Sequence, residues 1–329
     1  MSQGTFSEDP LAIRPEEVVG EIISRLRELV GRELRRKGAV VGLSGGIDST
    51  VTCALCARAF GADRVLAVFT PESDSDAETL RLSRLAAESL GIPSVLEDIT
   101  PLLEAAHAYE RRDEAIRTLI PEFAADWKLK IVLPSVVGSD ALRVFSLVAR
   151  APDGREERKR LPADVYLAIV AATNFKQRMR KMVEYHHADR LNYAVAGTPN
   201  RLEYDQGFFV KNGDGAADVK PIAHLYKTQV YALADYLEVP AEIRSRPPTT
   251  DTYSLPQSQE EFYFSLPYNQ MDLCLYAHNE GLPPEAVAEF VGLSPADVGR
   301  VYRDIEQKRR TTRYLHLPPL LVAPVPEID

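Results

Sequence analysis

Residues 44–49, Ser44-Gly45-Gly46-Ile47-Asp48-Ser49, carry the strongest chemical signal in the chain. They follow a short apolar stretch, residues 39–43, that reads as a buried strand, and they run into a helical stretch over residues 50–60. Two glycines let a backbone approach a ligand closely, and the free N–H groups at a helix start favour an anion. With Gly42 and Leu43 leading in, and the hydroxyls of Ser44 and Ser49 as further donors, the segment reads as a phosphate-binding loop. It lacks the lysine of GxxxxGK[ST] and the spacing of GxGxxG, so neither of those loops describes it. An aspartate inside an anion-binding loop repels phosphate unless a cation lies between them. Asp48 therefore implies Mg²⁺ bridging to phosphate oxygens.

Other candidates lie far downstream. Residues 191–196 read as a further strand, closed by Gly197-Thr198-Pro199-Asn200-Arg201-Leu202-Glu203. Glu203 falls just past the carboxyl end of that strand, where ligands bind in open α/β sheets and where a second carboxylate can share the cation. Lys227 opens a stretch with Val230, Leu233, Ala234 and Leu237 at helical spacing. The helix dipole disfavours a cation there, and a bound phosphate offsets that. In residues 174–187, Phe175, Met179, Met182 and Val183 form one stripe at 100° per residue. Arg178 falls about 60° from Phe175, at the stripe's edge, and Arg180 turns away, so Arg178 is the arginine expected to be half buried and aimed at a ligand.

The elements around these residues alternate. A helix is expected over residues 16–37, ended by Gly38, then strands over 39–43, 64–70 and 94–99 with helices over 50–60 and 77–90 between them. That rhythm predicts an α/β fold, a doubly wound parallel sheet with flanking helices. Residues 129–161 break it. Residues 142–150 are strand-like, 151–154 are turn chemistry, and the charged run 156–160 follows, which reads as an inserted β-hairpin within about 120–163. Asp164 is the expected cap of a long helix reaching about His187. The last 80 residues read as mostly helical with an extended Pro-rich tail. The whole, residues 1–329, is expected to be one domain with that insertion.

Composition narrows the function classes. The chain has 329 residues, 45% hydrophobic and 26% charged, with a formal net charge of −9. The acidic total argues against nucleic acid as a partner. No apolar run approaches the roughly 18 residues of a membrane helix. The first residues lack both a basic and an apolar leader region, so a cytoplasmic location is expected. Three cysteines, an odd number, argue against a disulfide framework.

The SGGIDS loop resembles the pyrophosphatase loop of the ATP-pyrophosphatase (adenine nucleotide α-hydrolase-like) superfamily, whose members cleave ATP between the α and β phosphates and adenylate a substrate. The order GTPNRLE, GFFVKNGDGAADVKPI, LYKTQVYALADYL and PPTTD is similar to that of the NAD synthetase family, over roughly residues 15–100 and 173–255. The resemblance implies ATP as co-substrate, held by residues 42–49 with Thr198, Lys227 and Thr249. It implies Asp48 and Lys227 in catalysis, Mg²⁺ on Asp48 and Glu203, and Arg178, Lys211 and Asp218 on deamido-NAD. The expected reaction is amidation of deamido-NAD by ammonia through an acyl-adenylate, giving NAD, AMP and pyrophosphate, in a homodimer. Ammonia is expected to arrive free or from a separate glutaminase.

The chain departs from the family in two places. The connection over residues 101–173 is longer by on the order of 40 residues than usual loop lengths give. The family's C-terminal His-Lys pair is also absent, and Arg313 stands nearest the lysine. Both changes fall on the acceptor side, so an alternative is the same chemistry on another small carboxylate. Cys53, Cys56 and Cys274 raise a third reading, an iron–sulfur-dependent tRNA thiolase. The first two lie in the apolar helix behind the loop, where packing is the expected role.

Overall fold

The computed structural model describes residues 9–138, 144–249 and 252–326. Four parallel strands form the central sheet: β1 (Ala39–Gly42), β2 (Val65–Phe69), β3 (Ser94–Leu96) and β7 (Ala194–Ala196), in the order β3-β2-β1-β7. Their side chains alternate between two packed faces, as the twofold period of a strand requires. Ala39 and Val41, Val65, Ala67 and Phe69, and Ala194 and Ala196 join the larger core beneath α1 (Pro15–Leu26), α2 (Ile47–Phe60), α3 (Ala77–Ser89) and α8 (Lys227–Tyr236). Val40, Leu66, Val68 and Val195 face the other way, against Val183 and Ala188 of α6 (Ala163–Leu191). The result is the expected doubly wound sheet with helices on both faces.

The insertion is larger than a hairpin. β5 (Ser146–Arg150) and β6 (Glu156–Arg160) form the expected antiparallel pair across the 151–155 turn. A third strand, β4 (Lys128–Val132), pairs with β5 and completes an antiparallel sheet. The expected start of the first hairpin strand, Leu142 and Arg143, lies outside the described residues. Leu129, Ile131, Leu147 and Ala149 bury a separate core with Trp127, with Ile116 of α5 (Ala108–Arg117), and with Ile169 of α6. A short helix, α4 (Thr100–Ala105), links β3 to α5.

Other expectations shift at their edges. The first helix turns π-helical over Arg27–Glu33 and ends before Gly38. Pro162, not Asp164, holds the N-cap of α6, since its extended backbone suits the position just outside a helix; Asp164 sits in the first turn. Beyond β7 come α7 (Arg201–Gln206) and, after α8, α9 (Ala241–Ser245). α10 (Tyr268–Asn279), α11 (Ala288–Val291) and α12 (Pro295–His316) pack a third core with Leu202 and Tyr226. Residues 317–326 form no helix, as the Pro-rich pattern predicts.

Candidate active site

In the order β3-β2-β1-β7, the chain leaves β1 toward one edge of the sheet and later returns on β1's other side. The connections after β1 and β7 therefore diverge at the carboxyl ends of adjacent strands, the crevice where open α/β sheets bind ligands. The first connection is the SGGIDS loop. Ser49 Oγ donates to the Gly46 carbonyl at 3.0 Å and accepts from the Ser44 N–H at 3.3 Å. Gly45 has φ +67°, and a Cβ there would lie 2.7 Å from Leu82 Cβ and 2.8 Å from the Thr79 carbonyl oxygen. Only glycine fits that turn against α3.

α2 starts at Ile47, which places Asp48 in its first turn. Asp48 Oδ2 accepts a hydrogen bond from Lys227 Nζ, and Asp48 Oδ1 accepts one from Asn200 Nδ2 at 3.2 Å. Asn200 caps α7 in a capping box: its Oδ1 accepts from the Glu203 N–H at 3.2 Å, and Glu203 Oε2 accepts from the Asn200 N–H at 3.1 Å. Gln259 Nε2 donates to Glu203 Oε1 at 3.0 Å. Lys227 is 2% exposed and begins α8, whose first N–H groups are held by Asp272: Oδ2 accepts from Thr228 at 2.7 Å. Two carboxylates and one ammonium thus meet in a desolvated pocket. Burial, then the charge of Asp48, pushes the Glu203 carboxyl up to about 8. Burial opposes the Lys227 ammonium, yet Asp48 and Glu203 hold its pKa above the ordinary value.

Two cavities open on this cluster. One, of about 170 Å³, is lined by Ser44, Gly46, Asp48, Thr198, Lys227 and Thr249. The other, of about 520 Å³, shares Ser44, Thr198, Glu203 and Thr249 and extends over Gly42 and Leu43 to Arg178, Arg180 and Lys211.

The structure thus gathers Gly42, Leu43, Ser44, Gly46, Ile47, Asp48, Ser49, Thr198, Glu203, Lys227 and Thr249 around one crevice, with Gly45 behind them against α3. Lys211 lies at the far end of the larger cavity, where its Nζ donates to the Tyr314 carbonyl at 2.8 Å. Asp218 lines neither cavity. Its Oδ2 accepts from the Val195 N–H at 2.7 Å and supports β7. Arg313 also lies away from both, though Tyr314 and Leu315 line the larger one.

Both arginines line the larger cavity, but the expected order of their burial is reversed. Arg178 is exposed, with Nε donating to the Lys211 carbonyl at 3.3 Å. The Arg180 side chain is 15% exposed and donates to the Thr70 carbonyl at 3.3 Å. Of the expected stripe, Phe175, Met179 and Val183 pack against Ile99, Leu103 and Ala108, and Met182 is 64% exposed. Part of the buried face of α6 is charged: Lys176 pairs with Glu72 at 2.9 Å and Asp74 at 2.6 Å, and Lys181 pairs with Glu184 at 2.6 Å. A wheel that assumes an apolar interior cannot find such a face. Asn200 and Gln259 were also missed. Asn200 carried a signal, the N-cap spacing of Asn-x-x-Glu, and Gln259 carried none.

The NAD synthase family model matches residues 18–124 and 157–314. The chain belongs to the NAD synthase family. An NH3-dependent NAD⁺ synthetase of Rhizobium meliloti (strain 1021) is 58% identical over 324 residues, covering 98% of this chain and 97% of that protein. One of Thermotoga neapolitana is 36% identical over 295 residues, 89% of this chain and 92% of that protein. Among solved structures, the NH3-dependent NAD synthetase of Campylobacter jejuni superposes with a TM-score of 0.62 at 20% identity, covering 95% of this chain and all of that one (100%). The NMN synthetase of Francisella tularensis gives 0.64 at 22%, covering 94% and 99%. These two likenesses concern the fold. The family match leaves residues 125–156 uncovered, the stretch that carries β4 and β5.

The cysteines of this NAD synthase family member do not form a cluster. Cys53 and Cys56 lie in the main core and Cys274 in the core of α10–α12. Burial pushes the Cys56 and Cys274 thiols up to about 12, far from thiolate character. The double variant Cys53→Ala, Cys56→Ala is expected to keep more than about half of wild-type turnover, with a loss of stability of about 1–3 kcal/mol from the vacated volume. Turnover assays beside urea melts check this, and iron in the preparation together with loss of activity would contradict it.

Proposed function

We propose that the chain amidates deamido-NAD with ammonia at a site built on Asp48, Glu203 and Lys227, using ATP to form an acyl-adenylate. The observation that carries this reading is the meeting of those three residues at the sheet's switch point, beside a phosphate-binding loop and a larger cavity. The acceptor carboxylate attacks the α-phosphorus of ATP, because a free carboxylate is a poor electrophile toward ammonia. The loop N–H groups and Lys227 stabilise charge on the phosphates as pyrophosphate leaves. Residues 42–49, Thr198 and Thr249 orient ATP, and Arg178 and Lys211 hold the acceptor in the larger cavity.

The donor set suits Mg²⁺, which takes one or two protein carboxylates plus phosphate oxygens. Asp48 and Glu203 supply two, close enough that Asp48 raises the Glu203 carboxyl. When bound, the ion neutralises the leaving pyrophosphate.

The enzyme is further read as a cytoplasmic homodimer of single-domain chains, fed by free ammonia or by a separate glutaminase. No described helix is long and apolar enough to cross a membrane. A second acceptor reading, another small carboxylate, is favoured by Phe145, the residue before β5, which adds an inserted wall to the larger cavity.

Purified protein with ATP, Mg²⁺ and NH4⁺ and a panel of carboxylates tests the proposal by release of AMP and pyrophosphate. Deamido-NAD should give the highest kcat/KM; silence with deamido-NAD and turnover with another acid would transfer the assignment. Within that assay, Arg180→Ala is expected to raise a substrate KM at least tenfold and at least as much as Arg178→Ala does. The Arg180 guanidinium is the more buried, and a lost charge-assisted hydrogen bond costs about 1.5–3 kcal/mol. A silent Arg180→Ala would restore the wheel-based ranking.

A further inference from the structure

We infer that the inserted sheet is a brace that holds residues 252–264 in place over the nucleotide cavity, with Ser254 and Gln257 as positioning residues. The inference rests on reading that cavity as the ATP site. β5 occupies one edge of β4. The other edge meets residues 254–257 in a run of contacts. The Leu255 N–H donates to the Leu129 carbonyl at 3.0 Å, and Ser254 Oγ accepts from the Leu129 N–H at 3.0 Å. Gln257, 3% exposed, donates from Nε2 to the Ile131 carbonyl at 2.7 Å. Lys130 pairs with Glu261 at 2.7 Å. Tyr253 is buried in the core of the inserted sheet, and Phe262 packs against the same core.

The braced stretch carries site residues. Gln259, two residues past Gln257, donates to Glu203 Oε1. A bridge between Thr249 and Ser258 ties Thr249 to the same stretch, and both Thr249 and Gln259 line the smaller cavity. A loop without such anchors must be ordered whenever nucleotide binds, and apparent affinity falls by the fraction of time it is open. Here the ordering is completed during folding, by one backbone and two side-chain hydrogen bonds to a strand that the family match leaves uncovered. The insertion therefore acts on ATP binding from behind the loop, without supplying a reacting group.

Hydrogen exchange and steady-state kinetics on the full chain test this with three variants. Ser254→Ala removes the acceptor for Leu129, Ser254→Thr keeps it, and Gln257→Met keeps volume without the donor. In Ser254→Ala and Gln257→Met, amide protection over residues 252–264 should fall at least about tenfold while β1 and β2 keep theirs. KM for ATP should rise about fivefold with kcat within about twofold, and Ser254→Thr should match wild type. Unchanged exchange and KM in Gln257→Met would overturn the brace. Protection lost evenly across the chain would also overturn it, by reducing the contacts to general stability. If wild-type protein forms no AMP with any acceptor, the functional reading fails. The local exchange ratio then still decides whether the sheet holds the segment.

Discussion

Asp48→Asn should lower pyrophosphate release about a thousandfold while the protein keeps its fold. The substitution is isosteric, and α2 and the SGGIDS loop are held by contacts that do not involve this carboxylate, such as Ser49 Oγ to the Gly46 carbonyl. It removes the carboxylate charge that accepts the hydrogen bond from the Lys227 ammonium. Losing a preorganised electrostatic group of this kind costs about 10²–10³ in kcat, and removing a metal ligand adds to that. AMP and pyrophosphate assays beside circular dichroism measure it. Near-normal turnover in a folded Asp48→Asn protein would remove both the metal assignment and the catalytic assignment of this residue.

Lys227→Met should be damaging twice. The methionine fills similar space in a site where the lysine is 2% exposed. What it cannot do is neutralise Asp48, whose charge then lies beside the buried Glu203 carboxyl without its counter-ion. Breaking a buried ion pair from one side typically costs about 3–5 kcal/mol, because the remaining charge loses its counter-ion. Turnover should fall about 10²–10³-fold from lost charge stabilisation on the phosphates. Urea unfolding followed by activity at low denaturant separates the two effects. The double variant Asp48→Asn, Lys227→Met should recover part of the lost stability and none of the activity. A single Lys227→Met protein as stable as wild type would show that the pair is not coupled as its geometry implies.

Much of this site could be read from residue order, because its parts sit where chain topology forces them. A strand, a glycine-rich turn and a helix define the loop around Asp48 locally. Glu203 follows from its place just beyond a strand end, and Lys227 from opening a helix. Gln259 reaches Glu203 from 56 positions away, and no local pattern announces such a contact. The burial of the two arginines departs from the wheel because α6 has a second inner face that answers Glu72 and Asp74, beside the apolar one of Phe175, Met179 and Val183. β4 was missed for a related reason. Its inward Leu129 and Ile131 alternate with lysines over only five residues, too short a run to stand out beside the clearer hairpin that follows.

The pairing of β1 with β7 also bears on how the enzyme comes into being. Ala39 lies beside Ala194, so the half of the site bearing Asp48 cannot meet the half bearing Asn200 and Glu203 until everything between them has been synthesised and arranged. Such distant closure is slow, because chain entropy is lost before the contact is gained. The inserted sheet has the opposite character: β4, β5 and β6 are sequential neighbours joined antiparallel. Trp127, the only tryptophan in the chain, is buried in its core. During refolding, tryptophan fluorescence should therefore recover on a faster phase than catalytic competence, and a nascent chain on the ribosome would hold the three paired strands well before it holds a finished site.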